Sequence, residues 1–156
     1  MKKTLLIMIV LVAMTGCSKW GSSRSKDFKH TGCATETRSA TSLFYGDEPS
    51  LLTLKYENGD LRVIRTKAVM NCAIKERGLA CSVSFKGSEI YYTVDFEKDG
   101  YDVDCICPVD ELSSCVTGLH EGKEYTFNWC GIDRYLAPVT FTFKKGLHQI
   151  IDVDTL

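Results

Sequence analysis

The stretch LHEGKEYTF at residues 119–127 decides the fold, because a glycine stands there directly before an alternating pattern of side chains. Tyr125, Phe127 and Trp129 are spaced two residues apart, as side chains on one face of a β-strand are. Trp129 is predicted to pack in the core of the domain. The opposite face of the same strand carries Thr126, Asn128 and Cys130.

The same stretch resembles the Leu-x-x-Gly-x-x-Tyr-x-Val corner that opens strand F of fibronectin type III domains. In those domains the leucine fills the core, the glycine turns the chain, and the tyrosine hydroxyl bonds back to the backbone near the corner. The resemblance implies these structural roles for Leu119, Gly122 and Tyr125. The alternative is an ordinary hairpin that contains a tyrosine by chance.

The rest of the domain also alternates with a period of two. Ile90, Tyr92 and Val94 give the cleanest strand, and Asn58-Gly59 is typical of a tight hairpin turn. Strands and turns follow one another at the spacing of all-β folds, and no long helical period is present. We therefore expect an all-β fold, an immunoglobulin-like or fibronectin-III-like antiparallel β-sandwich, with a small barrel as the competitor.

The first sixteen residues indicate export. Lys2 and Lys3 precede a run of about eleven mostly apolar residues, which is long enough for a signal peptide and too short to span a membrane. The run ends at Met14-Thr15-Gly16-Cys17, which resembles the lipobox of bacterial lipoproteins. The resemblance implies cleavage before Cys17 and a lipid on that cysteine. An ordinary secretory peptide and an uncleaved anchor are the alternatives.

The residues after Cys17 favour a lipid-anchored place in the cell envelope. Ser18 stands where an acidic residue often signals retention in the inner membrane, so the outer membrane is preferred, with the leaflet left open. Residues 17–42 are mostly small and polar and are predicted to form a flexible tether. Residues 43–156 are predicted to form the sandwich, with residues 1–16 as the lipoprotein signal peptide.

A wider resemblance covers about residues 70–130. Asn71-Cys72, Cys105-Ile106-Cys107 and the tyrosine corner follow one another in this order. This layout resembles that of small Bacteroides-type cell-envelope lipoproteins with an immunoglobulin-like or fibronectin-III-like domain. The resemblance implies the fold and the location, and it implies no specific function.

Seven cysteines follow Cys17, and in an exported chain structural disulfides are the first expectation. Cys105 and Cys107 face one side of a predicted strand and should reach different partners, with Cys72 the preferred partner of one of them. Cys33, in the tether, is the candidate for the unpaired thiol. Zinc, redox chemistry and a nucleophilic cysteine with His120 or His148 are the disfavoured alternatives. The disulfide candidates are Cys72, Cys81, Cys105, Cys107, Cys115 and Cys130, with Cys115 and Cys130 as a suggested pair.

Charge and composition restrict the function. Loss of two lysines with the signal peptide leaves 17 basic and 20 acidic side chains, so nucleic-acid binding has little support. We expect no enzyme, metal or cofactor, and we expect Asp102 and Asp104 on a solvent-facing side of a strand. The predicted function is a membrane-anchored envelope lipoprotein that binds a protein or glycan through an exposed apolar patch. The alternative is a structural accessory subunit of an outer-membrane complex, with an exposed edge strand or a free Cys33 that links a partner.

Overall fold

The computed structural model describes residues 24–33, 49–132 and 135–153. The predicted signal peptide and Cys17 lie outside these ranges. The described residues form nine strands and one short helix, and none of their helices is long and apolar enough to cross a membrane. The elements are β1 (Ser25–His30), β2 (Leu51–Glu57), β3 (Asp60–Asn71), α1 (Ile74–Arg77), β4 (Leu79–Lys86), β5 (Glu89–Phe96), β6 (Ile106–Val116), β7 (Glu124–Gly131), β8 (Val139–Thr142) and β9 (His148–Asp152).

The strands form two sheets, which confirms the predicted all-β sandwich at the level of architecture. One sheet has five strands in the order β1-β6-β3-β2-β9, and the other has four in the order β4-β5-β7-β8. β5 and β7 run parallel, so the prediction of a wholly antiparallel sandwich is wrong at this pair. The reason is that β6, which lies in the opposite sheet, carries the chain back before β7 begins, as parallel neighbours require.

The core lies between the two sheets and follows the predicted alternation. Ile90, Tyr92 and Val94 of β5 are fully buried, and the residues between them face outward. Tyr125, Phe127 and Trp129 of β7 are also buried, so the predicted inward position of Trp129 is confirmed. Burial of these large aromatic side chains removes much apolar area from water and stabilises the fold.

The longest strand, β3, changes the face that it buries. Leu61 and Val63 point inward at odd positions, whereas Ala68 and Met70 point inward at even positions. Lys67 lies between the two sets with φ of 52°, a left-handed conformation that interrupts the alternation. Its amino group pairs with Asp110 of the neighbouring strand at 3.0 Å. β6 changes its buried face in the same region, so the two strands stay in register.

The predicted tether contains a strand. β1 pairs antiparallel with the edge of β6, with Ser25 opposite Val116 and His30 opposite Leu112. The prediction of a flexible tether over residues 17–42 is therefore wrong for residues 24–33. The main chain of β1 bonds to the β6 edge, and Lys26 adds an ion pair with Asp60 at 2.6 Å. These interactions do not need the apolar side chains whose scarcity suggested a tether.

The tyrosine corner lies between β6 and β7. Leu119 is buried, and Gly122 has φ of 84°, a conformation that favours glycine. The Tyr125 hydroxyl accepts a hydrogen bond from the backbone N–H of His120 at 2.9 Å. The hydrogen bond back to the corner that the resemblance implies is thus present.

Candidate functional site

Three loops meet at one end of the sandwich. β3 runs toward this end, and α1 turns the chain back into β4. β5 is antiparallel to β4, so it runs toward the same end, and β7 is parallel to β5. We call this region the loop end and define it as residues 72–78, 97–105, 132 and 135–138. The tyrosine corner lies at the opposite end of the sandwich.

Two disulfides lie at or beside the loop end. Cys72 is bonded to Cys105 and Cys33 to Cys107, with Cα–Cα distances of 5.4 and 5.3 Å. The predicted bond between Cys72 and one cysteine of the Cys-x-Cys pair is confirmed. The prediction that Cys33 is unpaired is wrong, because β1 runs along β6 and places Cys33 opposite Val109.

The three remaining described cysteines form no disulfide and lie on three different strands. Cys81 faces inward, 3.4 Å from the hydroxyl of Ser25, and Cys115 lies on β6 beside the Arg62 guanidinium. Cys130 is exposed on β7. The suggested pair of Cys115 and Cys130 is wrong, because Cys130 is exposed on the outer face of the four-stranded sheet, whereas Cys115 lies beside Arg62 in the five-stranded sheet. Cys81, the next suggested partner for the Cys-x-Cys pair, is likewise unbonded.

The alternation of Tyr101, Val103 and Cys105 predicts a strand, and that prediction is wrong, because residues 97–105 form a loop between β5 and β6. Asn71, at the end of β3, holds one side of this loop through two hydrogen bonds to Val103. The side-chain amide of Asn71 donates to the Val103 carbonyl at 2.7 Å, and its side-chain carbonyl accepts from the Val103 N–H at 3.1 Å. The backbone N–H of Cys72 adds a hydrogen bond to the Cys105 carbonyl at 3.2 Å. Together with the Cys72–Cys105 bond, these contacts fix the loop to the end of β3.

Arg77 of α1 holds the near side of the same loop. Its guanidinium forms an ion pair with Asp102 at 2.9 Å and donates to the Lys98 carbonyl at 3.0 Å. It also lies 3.6 Å from the centre of the Phe96 ring, within the range of a cation–π interaction. A side chain at Gly100 would come within 3.1 Å of the Arg77 side chain, so the loop passes closely over it. The loop is therefore clamped on both sides.

The clamped loop nevertheless exposes its apolar side chains. Of the five large hydrophobic side chains that are exposed among the described residues, four lie at the loop end. Tyr101 is 94% exposed and Tyr135 81% exposed, and Val103 and Ile132 are also exposed. The fifth, Ile150, lies on the edge strand β9. These four side chains are therefore not part of the hydrophobic core, and two of them, Tyr101 and Val103, lie on the clamped loop.

A cleft of about 490 Å³ opens beside the loop. The Cys72–Cys105 disulfide forms part of its lining, together with charged residues from α1 and from the loop. The loop end as a whole carries five acidic and three basic side chains, a net charge of −2. Asp102 and Asp104 are both exposed to solvent, as predicted, although in a loop. The cleft is lined by Cys72, Ala73, Lys75, Glu76, Val103, Asp104 and Cys105.

Exposed apolar side chains, and not clustered metal ligands, distinguish the loop end. The described residues contain no group of three or more His, Cys, Asp or Glu side chains that could hold a metal ion. His30, His120 and His148 lie on β1, in the tyrosine corner and on β9. What the loop end offers instead is aromatic and aliphatic contact area on a braced backbone, which is what loops that bind partners usually present. Tyr101 and Val103 are two residues apart, as the buried residues of a half-buried strand are. Their spacing in the sequence therefore does not show that they are exposed.

A buried pair of hydroxyl groups between the sheets should affect how the stability of the protein depends on pH. The hydroxyl oxygens of Tyr92 and Ser114 are 2.8 Å apart in the core. Burial, together with the neighbouring Cys81, raises the pKa of Tyr92 well above its usual value of 10.0. The folded state therefore favours the neutral form of the Tyr92 phenol. The contribution of this preference to the stability of the fold is complete below pH 10.0 and is lost as the pH rises above that value.

We expect the Tyr92→Phe variant to show a shallower loss of stability above pH 10.0 than the unmodified protein. At neutral pH the variant should lose about 1 kcal/mol with the hydrogen bond. Urea unfolding at a series of alkaline pH values measures both effects. The control is Tyr101→Phe, since Tyr101 is exposed and should leave the pH dependence unchanged. An equal alkaline loss in the Tyr92→Phe variant and the unmodified protein would contradict this account.

Comparison of the chain with protein-family models, with curated proteins and with solved structures found no significant match. The resemblances to fibronectin type III domains and to Bacteroides-type lipoproteins therefore depend on the motifs quoted above. Function has to be argued from the chemistry of the residues themselves.

Proposed function

We propose that the protein is an exported, lipid-anchored envelope protein without catalytic activity, and that it binds a partner through the loop end. The observation that carries the proposal of binding is the display of Tyr101, Val103, Ile132 and Tyr135 on a braced end of the sandwich. A soluble domain gains nothing in stability from exposing four large apolar side chains in one region, whereas a binding surface needs them.

The order of residues 1–17 supports the proposal of a lipid anchor. Two lysines, a short apolar run and a small residue before Cys17 are the elements that signal cleavage and lipid attachment. The two disulfides are consistent with an oxidising compartment outside the cytoplasm. Ser18 after the lipidated cysteine favours the outer membrane.

The alternative function, a structural accessory subunit of an outer-membrane complex, has less support. It expected an exposed edge strand or a free Cys33: the edge strand β9 carries the exposed Ile150, but Cys33 is bonded to Cys107. The exposed residues of the loop end favour recognition of a protein or glycan partner over that role.

A photo-crosslinking experiment in intact cells tests the proposed function. A photoreactive amino acid at position 101 should yield a specific crosslinked product, and the same group at position 150 serves as the matched control because Ile150 is also exposed. Cys17→Ser should move the protein out of the membrane fraction. Equal crosslinking from positions 101 and 150, or unchanged membrane fractionation of the Cys17→Ser variant, would contradict the proposal.

A further inference from the structure

We infer that the partner of the loop end is a basic polypeptide segment, whose arginine or lysine side chain packs against Tyr101 and into the adjacent cleft. This inference rests on the proposed function, since it names the chemical class of the partner. Three features of the loop end carry it: its charge, the exposure of Tyr101 and the lining of the cleft.

The charge of the loop end favours a cationic partner. Its acidic side chains exceed its basic ones by two. Arg77 pairs with Asp102, so these two charges largely cancel and leave four acidic against two basic side chains. Anionic lipids, nucleic acids and acidic glycans would be repelled by the remaining carboxylates, whereas an arginine or lysine would be attracted.

Tyr101 offers the contact surface for such a side chain. Its ring is 94% exposed, and the loop that carries it is clamped by Asn71, Arg77 and the Cys72–Cys105 bond. The face of a tyrosine ring attracts a guanidinium or ammonium group. Because the clamped backbone fixes the place of Tyr101 in the loop, binding does not have to order the main chain as well.

The cleft suits a long side chain with an apolar stem and a charged end. Ala73, Val103 and the disulfide contribute apolar lining, and Glu76 and Asp104 contribute carboxylates to the same lining. Lys75 also lines the cleft and leaves one negative charge in excess. Lysine and arginine bury their methylene stems on apolar surface while the charged group stays near water or a carboxylate. The volume of about 490 Å³ admits such a side chain.

Binding of labelled peptides to the full-length protein tests the inference. The probes are short fluorescein-labelled leucine peptides in which the alternate positions are arginine, glutamine or glutamate, and fluorescence anisotropy reports binding. We expect the arginine peptide to bind about ten-fold more tightly than the glutamine peptide, with the glutamate peptide weakest. Tyr101→Ala should weaken binding of the arginine peptide by roughly ten-fold, and its exposed position means that the variant should fold normally.

A charge-matched pair of variants separates local recognition from general attraction. Asp99→Asn with Asp104→Asn should weaken binding of the arginine peptide and reduce its dependence on salt. Glu121→Gln with Glu124→Gln removes the same charge from the opposite end of the sandwich and should leave binding unchanged. Equal effects of the two double variants, or equal binding of the arginine and glutamine peptides, would overturn the inference.

Crosslinking distinguishes failure of this inference from failure of the proposed function. A segment crosslinked at position 101 should contain arginine or lysine near the attachment point, as mass spectrometry can show. A specific crosslink to a neutral glycan or to an acidic segment would overturn the inference and leave the proposed function intact. Crosslinking from position 101 that does not exceed that from position 150 would overturn the proposed function itself.

Discussion

Removal of the two disulfides is expected to lower the free energy of unfolding by several kcal/mol. Cys33–Cys107 spans 74 residues of the chain and Cys72–Cys105 spans 33. Restriction of the unfolded chain by loops of these lengths is worth about 4 kcal/mol for each bond. Because whole domains are stable by only about 5–15 kcal/mol, loss of both bonds should leave the domain barely folded or unfolded. Denaturant unfolding of the serine variants measures this effect.

Loss of each disulfide should also loosen a different part of the structure. Cys33→Ser with Cys107→Ser should release β1 from the edge of β6, with faster amide exchange in residues 25–30. Cys72→Ser with Cys105→Ser should loosen the loop of residues 97–105, because one of its clamps is gone. The control is Cys130→Ser, since Cys130 is exposed and forms no disulfide. Unchanged stability in both double variants, or identical exchange patterns, would refute the assignment of these bonds.

Truncation of Phe127 should produce a loss of similar size in the core. Phe127 is 1% exposed, lies on β7 between two neighbouring strands, and packs against Tyr92 with 5.5 Å between ring centres. Phe127→Ala removes this buried area and leaves a cavity, which costs about 3–5 kcal/mol. Chemical denaturation monitored by Trp129 fluorescence gives the value.

The matched control for this prediction is Tyr101→Ala, which removes a comparable ring from an exposed position. Its stability should stay within about 0.5 kcal/mol of the unmodified protein. A loss below about 1 kcal/mol for Phe127→Ala would mean that β7 does not form the centre of the core.

The strand pattern of the sheets could be predicted because buried and exposed side chains alternate. Ile90, Tyr92 and Val94 show this directly, and the turn at Asn58-Gly59 joins β2 to β3 as expected. The bond of Cys72 to the Cys-x-Cys pair was also predicted, and Cys105 and Cys107 do have different partners, although Cys105 lies in the loop before β6.

Other features escaped prediction because they depend on contacts between distant parts of the chain. β1 has little apolar character, and its stability comes from main-chain bonding to β6 and from the Cys33–Cys107 bond. The change of buried face in β3 depends on the conformation of Lys67, which side-chain chemistry alone does not indicate. The parallel pairing of β5 and β7 follows from the path of the chain between the sheets.

The candidate site was the least predictable part. Tyr101, Val103 and Cys105 alternate as a strand would, which led to a strand prediction. The disulfide at Cys105 and the clamp formed by Arg77 hold this segment as a loop instead. Local pattern cannot show that a tyrosine is exposed on such a loop, because the clamping residues are more than twenty positions away in the sequence.

Peptide mapping of the protein from the cell envelope, without reduction, tests the central claim of an exported and lipid-anchored sandwich. The account predicts a mature chain that begins at lipid-modified Cys17, with Cys33 linked to Cys107 and Cys72 linked to Cys105. A chain that still carries residues 1–16, with these four cysteines recovered as free thiols, would contradict it.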